Sequence, residues 1–354
     1  YASAHASTNG VWIMSTDTPQ SDAPLPQIVV NVPSQANFLS SWFVRILCSF
    51  LLLSVIVNFA LISSQSSLAQ FTSGSREAFV SGDRDAKDRI AIIKLAGTIM
   101  PPFTGRILDM IENASEDDTV KGVILSIDSP GGLVADSHQI YHRLKQLAEK
   151  KPIYVSMKRI AASGGVYTAM GIGEKGKIFA EPTTWTGSIG VIIPRYDMTG
   201  LSEKFGVTSD SLTTGEFKDS LNPFRPLSDR DREVWGAIIE DSFARFVAIV
   251  AEGRAGLDEA TVREELATGQ IFTANQAVEN GLIDAIAFED EVIETMQADL
   301  NIESMGVITY HYTPTPLEIL LGTIEARDPE VLWRKTLEAT VPRAMYYCSW
   351  LPVL

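Results

Sequence analysis

The chain has 354 residues, 45% of them apolar, enough for one large core or two modest ones, since domains usually run about 50–250 residues. Its formal net charge of -15 opposes any binding that works by counterion release from phosphates, so nucleic acid is not an expected partner. Two cysteines, Cys48 and Cys348, can build neither a disulfide framework nor a thiolate metal site.

Residues 1–41 are rich in Ser, Pro, Ala, Asn and Gln and carry no lysine or arginine. They are too poor in periodic apolar residues to bury a core, and the stretch reads as a disordered tail. From Trp42 the apolar run WFVRILCSFLLLSVIVNFALI has a helical length of about 30 Å, the thickness of a bilayer core. Residues 42–63 are therefore expected to be a single transmembrane anchor, with Arg45 near enough to one end to snorkel. Arg45 lies on one side and Arg76, Arg84, Lys87 and Arg89 on the other, so charge alone does not set the topology. Residues 64–88 read as a linker.

Beyond the linker, β-branched runs alternate with helical patterns. IAIIKLAG at 90–97 predicts a strand and 105–114 a helix; GVILSID at 122–128 predicts a strand and 133–149 a helix. PIYVSM at 152–157 is followed by a helix opening at Ser163. KIFA at 177–180 and GSIGVII at 187–193 supply further strands, and a long amphipathic helix follows over 228–252. Such alternation argues for an α/β fold of βαβ units with parallel strands. The segment 255–300 reads as shorter helices packing on the core, and VITYHY after Gly306 as a strand. The expected division is one folded α/β domain over 89–300 and a C-terminal extension of unassigned role over 301–354.

Two glycine pairs follow strands at equivalent places, Ser129-Pro130-Gly131-Gly132 and Ala162-Ser163-Gly164-Gly165. Glycines at a strand-to-helix turn let backbone amides point into a cleft, where they can hold the oxyanion of a tetrahedral intermediate. A serine at the helix start gains the positive end of the helix dipole. Its hydroxyl needs a base, and histidine supplies none nearby: His5 lies in the tail, His311 far downstream, and His138 and His142 share one helix. The i, i+4 spacing of that last pair lacks an H-E-x-x-H pattern or a third ligand, so a solvated face is the better account and no metal is expected. A lysine can serve instead where its ammonium is desolvated. Lys218, in Gly215-Glu216-Phe217-Lys218-Asp219, follows an expected strand and has apolar neighbours in Phe217 and Leu221.

Four motifs then stand in order: SPGG at 129–132, ASGGVY at 162–167, TGSIGV at 186–191 and GEFKD at 215–219. In this order they resemble the peptidase domain of the signal peptide peptidase A family, in its short form with one peptidase unit, over residues 90–290. The resemblance implies a ClpP/crotonase-like fold. It implies a serine endopeptidase in which Ser163 is the nucleophile, Lys218 the general base and Ser188 the group that orients the lysine. Gly164 and one of Gly131 and Gly132 would form the oxyanion hole, with no cofactor. It further implies a homo-oligomeric ring in which the serine of one subunit meets the lysine of its neighbour. Placement at the cytoplasmic membrane, with the peptidase domain outside the cytoplasm, follows from the same likeness. Expected substrates are apolar peptides such as cleaved signal peptides, met beside the bilayer held by residues 42–63. Other readings of the same residues are a protease regulated for one membrane partner of the stomatin kind, a crotonase-type acyl-CoA enzyme, and an inactive scaffold. Val166 departs from the aromatic residue many relatives carry at that place.

Overall fold

A computed structural model describes residues 42–64, 74–313 and 345–347; the expected disordered tail at 1–41 lies outside them. Two units divide the chain near residue 71. The first contains helix α1, Trp42–Ser64, 23 residues and about 34 Å long at 1.5 Å per residue. Ile46, Leu47, Phe50, Leu51, Leu52, Leu53, Val55, Ile56 and Val57 on it are all exposed. Among the described residues no helix is long and apolar enough to cross a membrane.

In the second unit, chain order runs β1 (Gly74–Gly82), β2 (Arg89–Ala96), α2 (Phe103–Glu116), β3 (Val120–Ser129), β4 (Gly131–Leu133), α3 (Val134–Ala148), β5 (Ile153–Ala162) and α4 (Gly164–Ala169). Then come β6 (Lys177–Ala180), β7 (Trp185–Gly187), α5 (Thr199–Phe205), α6 (Asp229–Gly253), α7 (Glu259–Thr261), β8 (Ile271–Thr273), α8 (Ala274–Glu279), β9 (Ala285–Ile286), α9 (Glu289–Asp299), β10 (Gly306–Thr313) and β11 (Met345–Tyr347). The main sheet has the order β1-β10-β2-β3-β5-β6-β9, with β7 pairing β5 and β8. From β10 to β9 every neighbouring pair on this path is parallel.

Parallel strands buried on both faces should read as continuous apolar runs, because alternate residues serve two cores. Strand β2 does so: Ala91, Ile93 and Leu95 enter the larger core, while Ile90 and Ile92 enter the smaller. Helices α2, α3, α4 and α6 cover the first face, and Val292 and Met296 of α9 cover the second. Gly122 marks how close α9 comes, since a Cβ there would meet Met296 Sδ at 2.6 Å.

Four stretches differ from the sequence-based expectation. Within the expected linker, residues 74–82 form β1, paired antiparallel with β10 from Gly74↔Thr313 to Gly82↔Gly306. Its described side chains at 76–82 are exposed or half-buried, so the hydrogen-bond ladder, which hydropathy does not register, is what identifies it as a strand. Strand β10 in turn inserts between β1 and β2, making residues 306–313 of the expected C-terminal extension an integral part of the sheet. The run 187–193 is not a strand along its length: the strand covers Trp185–Gly187, and the positive φ of Gly187 (90°) and Ser188 (51°) turns the chain away from the ladder. The segment before Lys218 likewise carries no strand. A short antiparallel pair, β11 with β4, stands apart from the main sheet.

Candidate active site

The carboxyl end of β5 delivers Ser163 to the start of α4. Its φ of 54° and ψ of -111° place a non-glycine residue in left-handed space, which costs about 1–3 kcal/mol and persists only where the surroundings over-determine it. Here they do: the Ser163 N–H donates to Gly187 O at 2.8 Å, and the Tyr167 N–H donates to Ser163 O at 2.9 Å. The residue is 1% exposed, and its Oγ is buried with no hydrogen-bond partner among the described residues. A buried hydroxyl left without a partner costs about 1–3 kcal/mol, and a strained, unpaired serine at a strand-to-helix turn has the mechanics of a nucleophile elbow.

The second glycine pair faces it. A Cβ on Gly164 would lie 3.1 Å from both Gly131 Cα and Gly132 N, and 2.6 Å from Ser137 Oγ, so the two turns are in close contact. The SPGG turn is held by its own serine, whose Oγ donates to Gly97 O at 2.6 Å and accepts the Gly131 N–H at 3.1 Å. Gly131, at φ 101°, thus has its N–H engaged. Its carbonyl accepts the Ile99 N–H, and the Leu133 N–H donates to Ile99 O, both at 2.8 Å. Backbone groups alternate along a strand, so the N–H and C=O of Gly132 are left facing the opposite edge, beside Gly164.

Ser188 follows β7, whose Gly187 is paired with Ala162. Its N–H donates to Gln270 O at 2.6 Å, its φ is 51° and it is 9% exposed. Thr186 Oγ1 fixes β7 against β5 by donating to Ala161 O at 2.7 Å. The fold therefore gathers Ser163, Gly164, Gly131, Gly132 and Ser188 at the ends of neighbouring strands.

Lys218 is not bonded to Ser163, whose Oγ has no hydrogen-bond partner among the described residues. It lies exposed in the loop between α5 and α6, its N–H bonded to Gly215 O at 3.2 Å. The residues after it are tied down. Arg225 Nε donates to Asp219 O at 3.1 Å, and its two terminal nitrogens reach Asp231 at 2.9 and 3.1 Å. Trp235 Nε1 donates to Ser220 Oγ at 2.7 Å. The Arg225 guanidinium and then the Ser228 hydroxyl hold the Asp231 carboxyl well below its usual range. Sequence reasoning passed over this Arg225–Asp231 anchor; the Ser228-x-x-Asp231 capping box was its one readable sign.

His138 is not on a freely solvated face. Its Nδ1 lies 2.8 Å from Tyr167 Oη, and burial, then Arg245 and His142, lower its pKa. No group of metal-ligating side chains occurs among the described residues. In chemical terms, a strained buried serine at a helix start, beside the backbone amides of two glycine turns, is equipped for attack on a carbonyl and for holding the resulting oxyanion.

The family model of peptidase family S49 matches residues 145–303, a span that includes Ser163, Gly164, Ser188 and Lys218 and leaves out the SPGG turn. A protein of Synechocystis sp. provisionally named as a protease, slr0021, is 39% identical over 205 residues, 58% of this chain and 72% of that protein. One from Enterococcus faecium, provisionally named signal peptide peptidase SppA, is 38% identical over 204 residues, 57% of this chain and 58% of its own length. The chloroplastic serine protease SPPA of Arabidopsis thaliana is 33% identical over 229 residues, 61% of this chain and 33% of that protein. The chain belongs to peptidase family S49. It covers little more than half of the Enterococcus relative and a third of the Arabidopsis one.

Proposed function

We propose that this protein is a membrane-anchored serine endopeptidase in which Ser163 is the nucleophile and Lys218, supplied by a neighbouring copy, is the general base. The observation that carries this reading is the state of Ser163: left-handed, buried and without a hydrogen-bond partner. Nothing in a structural role accounts for maintaining that strain.

Ser163 Oγ attacks the scissile carbonyl carbon while its proton passes to the neutral Lys218 amine. The carbonyl oxygen becomes an oxyanion held by the amides of Gly132 and Gly164. Collapse expels the amine of the leaving peptide, which takes the proton from Lys218 and leaves an acyl-enzyme on Ser163. Water then attacks that ester, giving its proton to Lys218, and the carboxylate product departs as Ser163 recovers its proton. Ser188 holds the lysine amine in place. A lysine acts as a base where burial disfavours its ammonium, and Lys218 is exposed within a single chain, which supports a site completed by a second subunit in a ring. The exposed apolar side chains Tyr196, Leu201, Phe205, Val207 and Leu212 precede the Lys218 loop and supply a surface for such a contact.

The apolar helix α1 supports anchoring, and an anchored site meets cleaved signal peptides and other apolar membrane-derived peptides, the substrate class we assign. Its placement is the cytoplasmic membrane, with the peptidase domain outside the cytoplasm. The deciding experiment is hydrolysis of a detergent-solubilised apolar peptide by wild type, Ser163→Ala, Lys218→Ala and a mixture of the two variants. Both single variants should be inactive and the mixture partly active; near-normal turnover by Lys218→Ala would refute the base assignment.

A further inference from the structure

Strand β11 lies far along the sequence from everything around it. Met345 pairs with Leu133, Tyr346 with Gly132 and Tyr347 with Gly131, antiparallel to β4. The other edge of β4 is already occupied, since Gly131 O and Leu133 N are bonded to Ile99. The edge that β11 occupies is therefore the one on which Gly132 presents its N–H and C=O, and the tail residue in register with that amide is Tyr346. In an antiparallel ladder, a residue whose N–H and C=O both face the partner exchanges them with the residue directly opposite. Strand β11 also touches α4 and α3, so it runs past the helix that begins beside Ser163.

A peptide substrate must present its scissile carbonyl to the same Gly132 amide, and an extended peptide added to an open strand edge is the common way to do so. We infer that the segment Met345–Tyr347 is a built-in occupant of the substrate edge, a strand that competes with incoming peptides for β4 and holds the site closed until it is displaced. The inference rests on the reading of this site as peptide-cleaving. The backbone ladder supplies the attachment, and the sequence Met-Tyr-Tyr has the apolar and aromatic character expected of the substrates. An occupant covalently joined to the chain competes at an effective concentration far above that of a dilute peptide, so its effect should appear in KM rather than in kcat.

The test uses the full chain carrying Tyr346→Pro, which removes the N–H opposite Gly132 without touching the catalytic residues. Hydrolysis of the detergent-solubilised apolar peptide should show KM lowered by about fivefold, the scale of one net backbone hydrogen bond, with kcat unchanged. A synthetic peptide of residues 343–350, fluorescently labelled, should bind saturably to the Ser163→Ala, Tyr346→Pro double variant and be displaced by the apolar substrate. The same peptide with proline at the position of Tyr346 should not bind. Unchanged KM together with no saturable binding overturns the inference while leaving the peptidase reading intact. If the wild type hydrolyses no peptide yet the labelled segment binds and its proline form does not, the peptidase reading falls and the occupied edge stands.

Discussion

The backbone N–H of Ser163 donates to the carbonyl of Gly187 at 2.8 Å, tying the serine to the residue just before Ser188. Two positive-φ serines, at 54° and 51°, are thereby locked to each other across β5 and β7. The strain at each is sustained by the other strand, because neither turn can relax without breaking that bond.

Relief of this strain should be measurable. Glycine adopts φ 54° at no steric cost, and removing the hydroxyl also removes a buried polar atom without a partner. Ser163→Gly should raise stability by about 1 kcal/mol and the melting temperature by roughly 2–4 °C for a domain of this size, while abolishing turnover. A calorimetric scan checks the first; a fall in Tm would mean that the hydroxyl contributes a favourable contact.

The two glycine turns should differ in how they fail. A Cβ at Gly132 would lie 2.0 Å from Ile99 O and 2.6 Å from Ile99 N and C, all backbone, so Gly132→Ala should cost several kcal/mol or prevent folding. At Gly164 the nearest atom, 2.6 Å away, is the Ser137 hydroxyl, which a rotamer change can withdraw. Gly164→Ala should therefore fold, with turnover reduced by about 10²–10³ through displacement of the proposed oxyanion donor. Urea melts and peptide hydrolysis on both variants separate the outcomes.

Lys218 and Leu144 should behave in opposite ways. Lys218 is exposed, so Lys218→Ala should change stability by no more than about 0.5 kcal/mol while removing activity. Leu144, on the α3 face turned to the core, is fully buried, and Leu144→Ala should cost about 2–5 kcal/mol with residual activity following the folded fraction. Denaturant midpoints beside single-turnover rates test the pair.

The Arg225–Asp231 anchor gives a pH dependence. Because the Asp231 carboxyl is held below its ordinary value of 3.8, its stabilising contribution is fully present above that pH. It is lost as pH falls through the lower folded value. Denaturant midpoints compared between about pH 5 and pH 2 should fall less in Asp231→Asn than in wild type. At neutral pH the same variant should lower kcat, since Arg225 also holds Asp219 O next to Lys218.

The alternation of strands and helices, the two glycine turns and the serine at the second of them are legible in the sequence. Each of these is written in local chemistry: apolar runs long enough to serve two cores, and glycines where the backbone must approach a neighbour or turn left-handed. Tertiary structure alone decided that residues 74–82 are an edge strand, that residues 306–313 belong inside the sheet, and that pairing at 185–187 stops where Ser188 turns away. It also decided that the amide of Gly132 rather than that of Gly131 faces the edge taken by β11, that Arg225 fixes the Lys218 loop, and that Met345–Tyr347 lies on β4. These are consequences of hydrogen bonds and close contacts between segments far apart in the chain, and such partners leave no periodicity in either segment to be read.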